Sequence, residues 1–194
     1  MKYLNVTALF IIFSLANTPA IADSQYQRQA PTPELRALLK AAIHDASSFE
    51  DRFEAEVWLM DMSMRMSRYL KDTQERLTIL HTTHHEAKRV KLSPELVLAV
   101  MDVESRFNRY AISSVGAQGL MQVMPFWRKE LNEPQANLFN IKTNLRMGTT
   151  ILRYYYDMEK GDLRKALARY NGSVGKRKYP DKVFTALSER WFVK

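Results

Sequence analysis

At 194 residues, with 46% hydrophobic and 26% charged side chains, the chain has the composition of one well-packed domain. Wholesale disorder is excluded and a second full domain is not expected. Six glycines and few β-branched clusters argue against an all-β fold. The formal charge of +8 suits an anionic partner, and the absence of cysteine leaves no disulfide to staple an exported protein.

The N-terminus reads as an export signal. Lys2 supplies a positive start, residues 8–16 an apolar run, and Ala20-Ile21-Ala22 a cleavage site before Asp23. The run is too short and too interrupted for a good membrane span. Residues 1–22 are therefore expected to be removed. No cysteine follows to carry a lipid, so the mature chain is expected to be free in the periplasm, with no stable membrane span. Loss of Lys2 lowers the formal charge from +8 to +7. A basic chain also suggests nucleic acid, but export removes that partner, and the cations are scattered apart from Lys176-Arg177-Lys178. Residues 23–33, polar and proline-bearing, read as a flexible linker.

From Glu34 the periodicity is helical. Leu35, Leu38, Leu39, Ala42 and Ile43 form one stripe. Phe49 to about Leu70 forms another, with methionines at 60, 62, 64 and 66 that suit core filling. A helix at about 73–90 carries His81, His84 and His85. Their spacing could seat a metal, but no acidic partner or Cys motif supports one, so neither a metal nor a cofactor is expected. Residues 34–85 thus form an N-terminal helical region. Ser93-Pro94-Glu95 opens the next helix with cap, first-turn proline and acid in order. Gly116 and Gly119 frame a tight loop. Helices at about 119–131, 141–159, 162–170 and 180–190 complete an all-α fold.

The helix after Ser93 ends at Glu104. Val97, Val100 and Met101 lie seven, four and three residues before it, on one helical face. A carboxyl on an apolar stripe should be desolvated and its pKa raised, and the negative end of the helix dipole acts the same way. Such a group suits a general acid; a structural Glu inside a core is the alternative. Asp102, two residues along, is about 200° away around the helix. It is better placed to pair with Arg106.

Around Glu104 the chain reads Glu104-Ser105-Arg106-Phe107-Asn108, then Ser113-Ser114-Val115-Gly116-Ala117-Gln118-Gly119-Leu120-Met121-Gln122, and later Ala168-Arg169-Tyr170-Asn171-Gly172. In that order and spacing, from about Glu86 to Val183, it resembles the catalytic domain of the soluble lytic transglycosylases, relatives of goose-type lysozyme. The resemblance implies a lysozyme-like helical domain over 86–194 with a glycan-binding cleft. It also implies cleavage of the β-1,4 bond between N-acetylmuramic acid and N-acetylglucosamine in peptidoglycan glycan strands. Glu104 would be the catalytic acid, then the base that draws the proton from the sugar's C6 hydroxyl, leaving a 1,6-anhydromuramic end. That route needs no second carboxylate, unlike ordinary glycosidases, and proximity lets the internal hydroxyl compete with water.

The resemblance also implies supporting roles. Tyr170 would hydrogen-bond and orient Glu104, Gln122 and Asn171 would bind sugar groups, and Ser113 would lie near the cleaved sugar. Met121 would line the cleft or the core. Ser105 would brace the helix end, and Asn144 would be structural. Ser114, Arg169 and Gly172-Ser173 depart from the family pattern. Two other classes stay open. One is a hydrolytic muramidase with Glu130, Asp157 or Asp162 as its second acid; the other is a non-catalytic glycan-binding envelope factor. The N-terminal helical region could dock envelope or secretion machinery.

Overall fold

The computed structural model describes residues 52–130 and 134–192, without the side chains of 52–57, 60 and 130. The expected export signal, the linker at 23–33 and the stripe at 35–43 lie outside the described residues. The elements run α1 (Arg52–Met66), α2 (Thr73–Arg89), α3 (Pro94–Glu104), α4 (Phe126–Glu130), α5 (Ile141–Met158), α6 (Leu163–Asn171), α7 (Lys178–Ala186) and a π-helical turn, Leu187–Trp191. Among the described residues the only β pairing is two isolated bridges, Ile112 with Gln118 and Gln118 with Val123. The fold is all-α, as the periodicity predicts.

Four helices begin where a side chain takes up orphan amide protons. Asp72 accepts from Gln74 and Glu75, and Ser93 from Leu96 with Pro94 in the first turn. Asn140 accepts from Thr143, and Asp162 from Lys165. Each such cap is worth about 1 kcal/mol.

Helix α3 is the centre of the molecule. Val97, Leu98, Ala99, Val100 and Met101 are all fully buried, so the helix is apolar almost all round, as a central core helix must be. Helices α7 and the π-helical turn pack against it, α2 packs on α5, and α5 on α6. A single apolar cluster joins Leu59, Met62 and Met66 of α1 to Val97, Val100, Tyr170 and Trp191. Helix α2 runs unbroken through residues 85 and 86. The helices ahead of the expected catalytic domain therefore share its core. Met62 and Met66 are buried filler, whereas Met64 faces solvent.

Two polar clusters interrupt this core. Glu86, fully buried, accepts from Arg89 Nε at 2.6 Å and from Arg146 Nε at 3.0 Å, which ties α2 to α5. Arg89 also donates to Thr150 Oγ1 at 2.7 Å. His84 packs on Trp58 with ring centroids 5.1 Å apart, and Trp58 Nε1 donates to Glu95 at 2.5 Å. Among the described residues no group of three or more His, Cys, Asp or Glu could hold a metal ion, and no helix is long and apolar enough to cross a membrane.

One predicted helix is mostly replaced. Of its described residues, 119–130, Phe126–Glu130 is helical; the stretch before it is a turn held by the two bridges. Asn144 on α5 explains why. Its Oδ1 accepts from Met121 N at 2.8 Å, and its Nδ2 donates to Gln118 O at 2.9 Å and Leu138 O at 2.8 Å. These bonds satisfy backbone groups that a helix would otherwise pair, and Asn144 is structural, as expected.

Candidate active site

Glu104 is the last residue of α3, and the chain leaves it abruptly. Ser105 closes the helix with its N–H to Met101 O, and its Oγ donates to Met101 O and to Leu120 O, the latter at 2.8 Å. It braces the helix end as expected. Arg106 and Phe107 then take φ of 51° and 63°. Left-handed backbone on non-glycine residues costs about 1–3 kcal/mol each and persists only where the surroundings enforce it. Here the Phe107 ring enforces it, wedged between Tyr69 and Trp191 at centroid distances of 5.3 and 5.2 Å. The reversal leaves Glu104 half-buried at the end of a helix buried from Leu96 to Asp102.

The hydroxyl of Tyr179 donates to Glu104, 2.8 Å from Oε1. Tyr179 sits in the first turn of α7 and is itself buried. Sequence reasoning missed it, because no motif quoted for the resemblance includes it. The one local signal is Pro180 behind it, a residue tolerated in the first turn of a helix. Tyr170, expected to orient Glu104, is buried on α6, and its hydroxyl donates to Met121 O at 2.7 Å.

The loop from 113 to 122 is built from its own backbone. Ser113 Oγ accepts from Ala117 N at 3.0 Å. Gln122 is buried, with φ of 51°, and its Nε2 donates to Gly119 O at 2.9 Å and Ala111 O at 3.1 Å. That amide thus braces the loop on which it sits. Gly119 has φ of 79°, and a Cβ there would collide with the Asn144 amide and Leu138 O, so glycine is required. Met121 is fully buried against Gly148, which places it in the core. Asn171, half-buried, ends α6.

Asp102 does not pair with Arg106. Its Oδ2 accepts from Arg190 Nε at 2.6 Å, Trp191 Nε1 at 3.0 Å and Tyr69 Oη at 3.3 Å. The i, i+4 expectation assumed that the helix continues, but it ends at Glu104 and Arg106 turns away, exposed. Asp102 therefore ties the π-helical turn, and α7 before it, to α3. From the same side, Arg65 of α1 donates to Arg190 O and Phe192 O. Two candidate second acids are engaged locally: Asp157 with Arg153, and Asp162 as the α6 cap with Lys165.

Comparison with known proteins agrees with this geometry. Over 80 residues the chain is 42% identical to membrane-bound lytic murein transglycosylase C of Actinobacillus pleuropneumoniae serotype 5b (strain L20), covering 37% of this chain and 22% of that protein. Over 99 residues it is 36% identical to the transglycosylase of Enterobacteria phage PRD1, covering 47% of this chain and 36% of that one. Over 105 residues it is 31% identical to membrane-bound lytic murein transglycosylase C of Yersinia pestis (strain Pestoides F), covering 46% and 29%. The chain thus matches about a fifth to a third of the length of these curated relatives. A family model, the transglycosylase SLT domain, matches residues 82–190, more than half of the sequence. The chain belongs to the transglycosylase SLT domain family.

Proposed function

We propose that this protein is a peptidoglycan lytic transglycosylase that acts in the periplasm after export. The observation that carries this reading is the Glu104–Tyr179 pair, one carboxyl at a helix end held by a buried phenol at 2.8 Å. Glu104 protonates the glycosidic oxygen between the N-acetylmuramic and N-acetylglucosamine units as the C1–O bond breaks. The resulting carboxylate then accepts the proton of the muramic C6 hydroxyl while that oxygen bonds to C1. The 1,6-anhydro ring forms, Glu104 regains its proton, and no water is consumed.

The tyrosine hydroxyl can both donate and accept, so it can hold the carboxyl in either protonation state of this cycle. Ser113, Gln122 and Asn171 bind the sugar around the acid, Met121 lies behind them, and Tyr170 orients Glu104 alongside Tyr179. Mass spectrometry of muropeptides released from purified sacculi tests the reading. Anhydro ends are expected. Reducing ends alone would make the protein a hydrolytic muramidase. Glu104→Gln should keep the fold and glycan binding while activity falls by about 10²-fold or more, as for loss of a general acid. Near-wild-type turnover would remove Glu104 from the mechanism.

A further inference from the structure

Asp102 is a buried carboxylate that the proposed chemistry does not use. It is 6% exposed, on a helix whose preceding residues Val97 to Met101 are fully buried. A carboxylate there has lost its water and must be paired. One oxygen carries the pairing: Oδ2 accepts from Arg190 Nε at 2.6 Å, Trp191 Nε1 at 3.0 Å and Tyr69 Oη at 3.3 Å. Stability alone is a poor reason to keep such a group, because well-packed apolar residues often serve a fold as well as a buried ion pair does. What a charged, hydrogen-bonded pair adds is direction: it fixes where its partners lie.

Those partners end the segment that carries Tyr179. Arg190 and Trp191 close the π-helical turn Leu187–Trp191, which follows α7 directly. Phe192 N donates to Leu187 O at 2.8 Å, the wide bond of a π turn, a rare geometry that recurs at functional sites. Tyr179 lies about 16 Å of helix rise before Arg190, and its hydroxyl donates to Glu104 Oε1 at 2.8 Å. Glu104 and Asp102 stand about 200° apart around α3. The segment therefore grips the end of α3 on two sides, at Glu104 by its first turn and at Asp102 by its last. The Trp191 ring also abuts Phe107 at 5.2 Å, so the same anchor bears on the left-handed turn that follows the acid. With Asp102 engaged, α7 is not free to slide along α3 or swing from it. Either motion would carry the Tyr179 hydroxyl out of bonding reach.

We infer that Asp102 is a positioning residue for the acid: through Arg190 and Trp191 it locks the α7–π-turn segment so that Tyr179 holds Glu104 in its productive orientation. This rests on the function proposed above. Asp102, buried, touches no substrate and moves no proton. It sets how much of the time the carboxyl is correctly aimed, and that fraction multiplies kcat.

The test is a double-mutant cycle in the full chain, read in initial rates on soluble glycan strands. Asp102→Asn keeps the side chain's size and removes the charge that binds Arg190. Alone, it should lower kcat about tenfold while KM stays within about twofold, because no sugar contact changes. Placed in the Tyr179→Phe variant, it should cost less than about twofold more, because the bond through which it acts is already gone. A purely structural aspartate gives losses that multiply across the two substitutions; that result, or a wild-type kcat in Asp102→Asn, overturns the inference. Glu86→Ala controls for stability. It breaks a buried ion pair between α2 and α5, so it should melt earlier yet keep its kcat below the melting range. A loss of kcat there equal to that in Asp102→Asn would assign both losses to stability and overturn the positioning role. The products separate this inference from the proposed activity. Reducing ends with the same non-additive rates would sink the transglycosylase reading and leave the positioning role standing. Anhydro ends with multiplying losses would sink the positioning role alone, and no cleavage by the wild type would sink both.

Discussion

Tyr179→Phe is the sharpest perturbation of this site. The substitution keeps the buried ring and deletes one oxygen, so it removes the 2.8 Å bond to Glu104 Oε1 while the ring's packing stays. A hydrogen bond to a charged group is worth about 1.5–3 kcal/mol, and each 1.36 kcal/mol is tenfold in rate, so turnover should fall about ten- to a hundredfold. The bond orients the carboxyl without binding sugar, so kcat should carry the loss and KM should move little. Tyr179→Ala is the control: deleting the ring should cost a further ~3–5 kcal/mol of stability, seen as a lower melting temperature that Phe does not share. The assay is anhydromuropeptide release from sacculi under initial-rate conditions, alongside thermal unfolding. A Phe variant with wild-type kcat, or one whose lost activity tracks a lowered melting temperature, would refute the positioning role.

Other predictions concern the polar groups inside the core. Glu86→Ala leaves Arg146, 3% exposed, and Arg89 without their shared carboxylate; breaking a buried pair this way should cost about 3–5 kcal/mol, measured by urea unfolding. Asp102→Ala removes the acceptor shared by Arg190, Trp191 and Tyr69. It should lower stability by a similar amount and change the near-ultraviolet circular dichroism of Trp191; an unaltered spectrum would mean that the π-helical turn is held elsewhere. Burial lowers the His84 pKa, helped by Lys88, His81 and His85 and opposed by Glu95. The folded protein then binds its proton less readily than the unfolded chain, so stability is present above the unfolded value of about 6.5 and is lost as pH falls through the lower folded value. Melting temperature should drop on acidification, and a His84→Phe variant should drop less over the same range.

The sequence disclosed what is local and hid what is long-range. The start of α3 was legible at Ser93 because a cap acts on amides within three residues. Glu104 was legible because the apolar stripe and the acid lie on one helix, whose burial pattern is a property of spacing. The predicted helix at 119–131 failed for the opposite reason. Gly119-Leu120-Met121-Gln122 has apolar residues and length enough for a helix, but Asn144, 23 residues from Met121, captures the Met121 amide, while Gly119 and Gln122 adopt left-handed φ. Asp102 was matched to the cation four positions on, and the actual partner is 88 residues away.

Tyr179 shows the same limit at the site itself. It meets Glu104 across 75 residues, a distance closed only when α7 packs on α3 and the Asp102–Arg190 pair fixes the π-helical turn behind it. Glu104 and Asp102 are two residues apart and face opposite ways, yet the same α7–π-turn segment grips both. One holds that segment by a buried ion pair, and the other is held by its tyrosine. The geometry of the acid therefore depends on the C-terminal helix staying docked. Arg65 of α1 caps the carbonyls at the end of that same segment, so the helices ahead of the matched family domain help to build the site as well as its core.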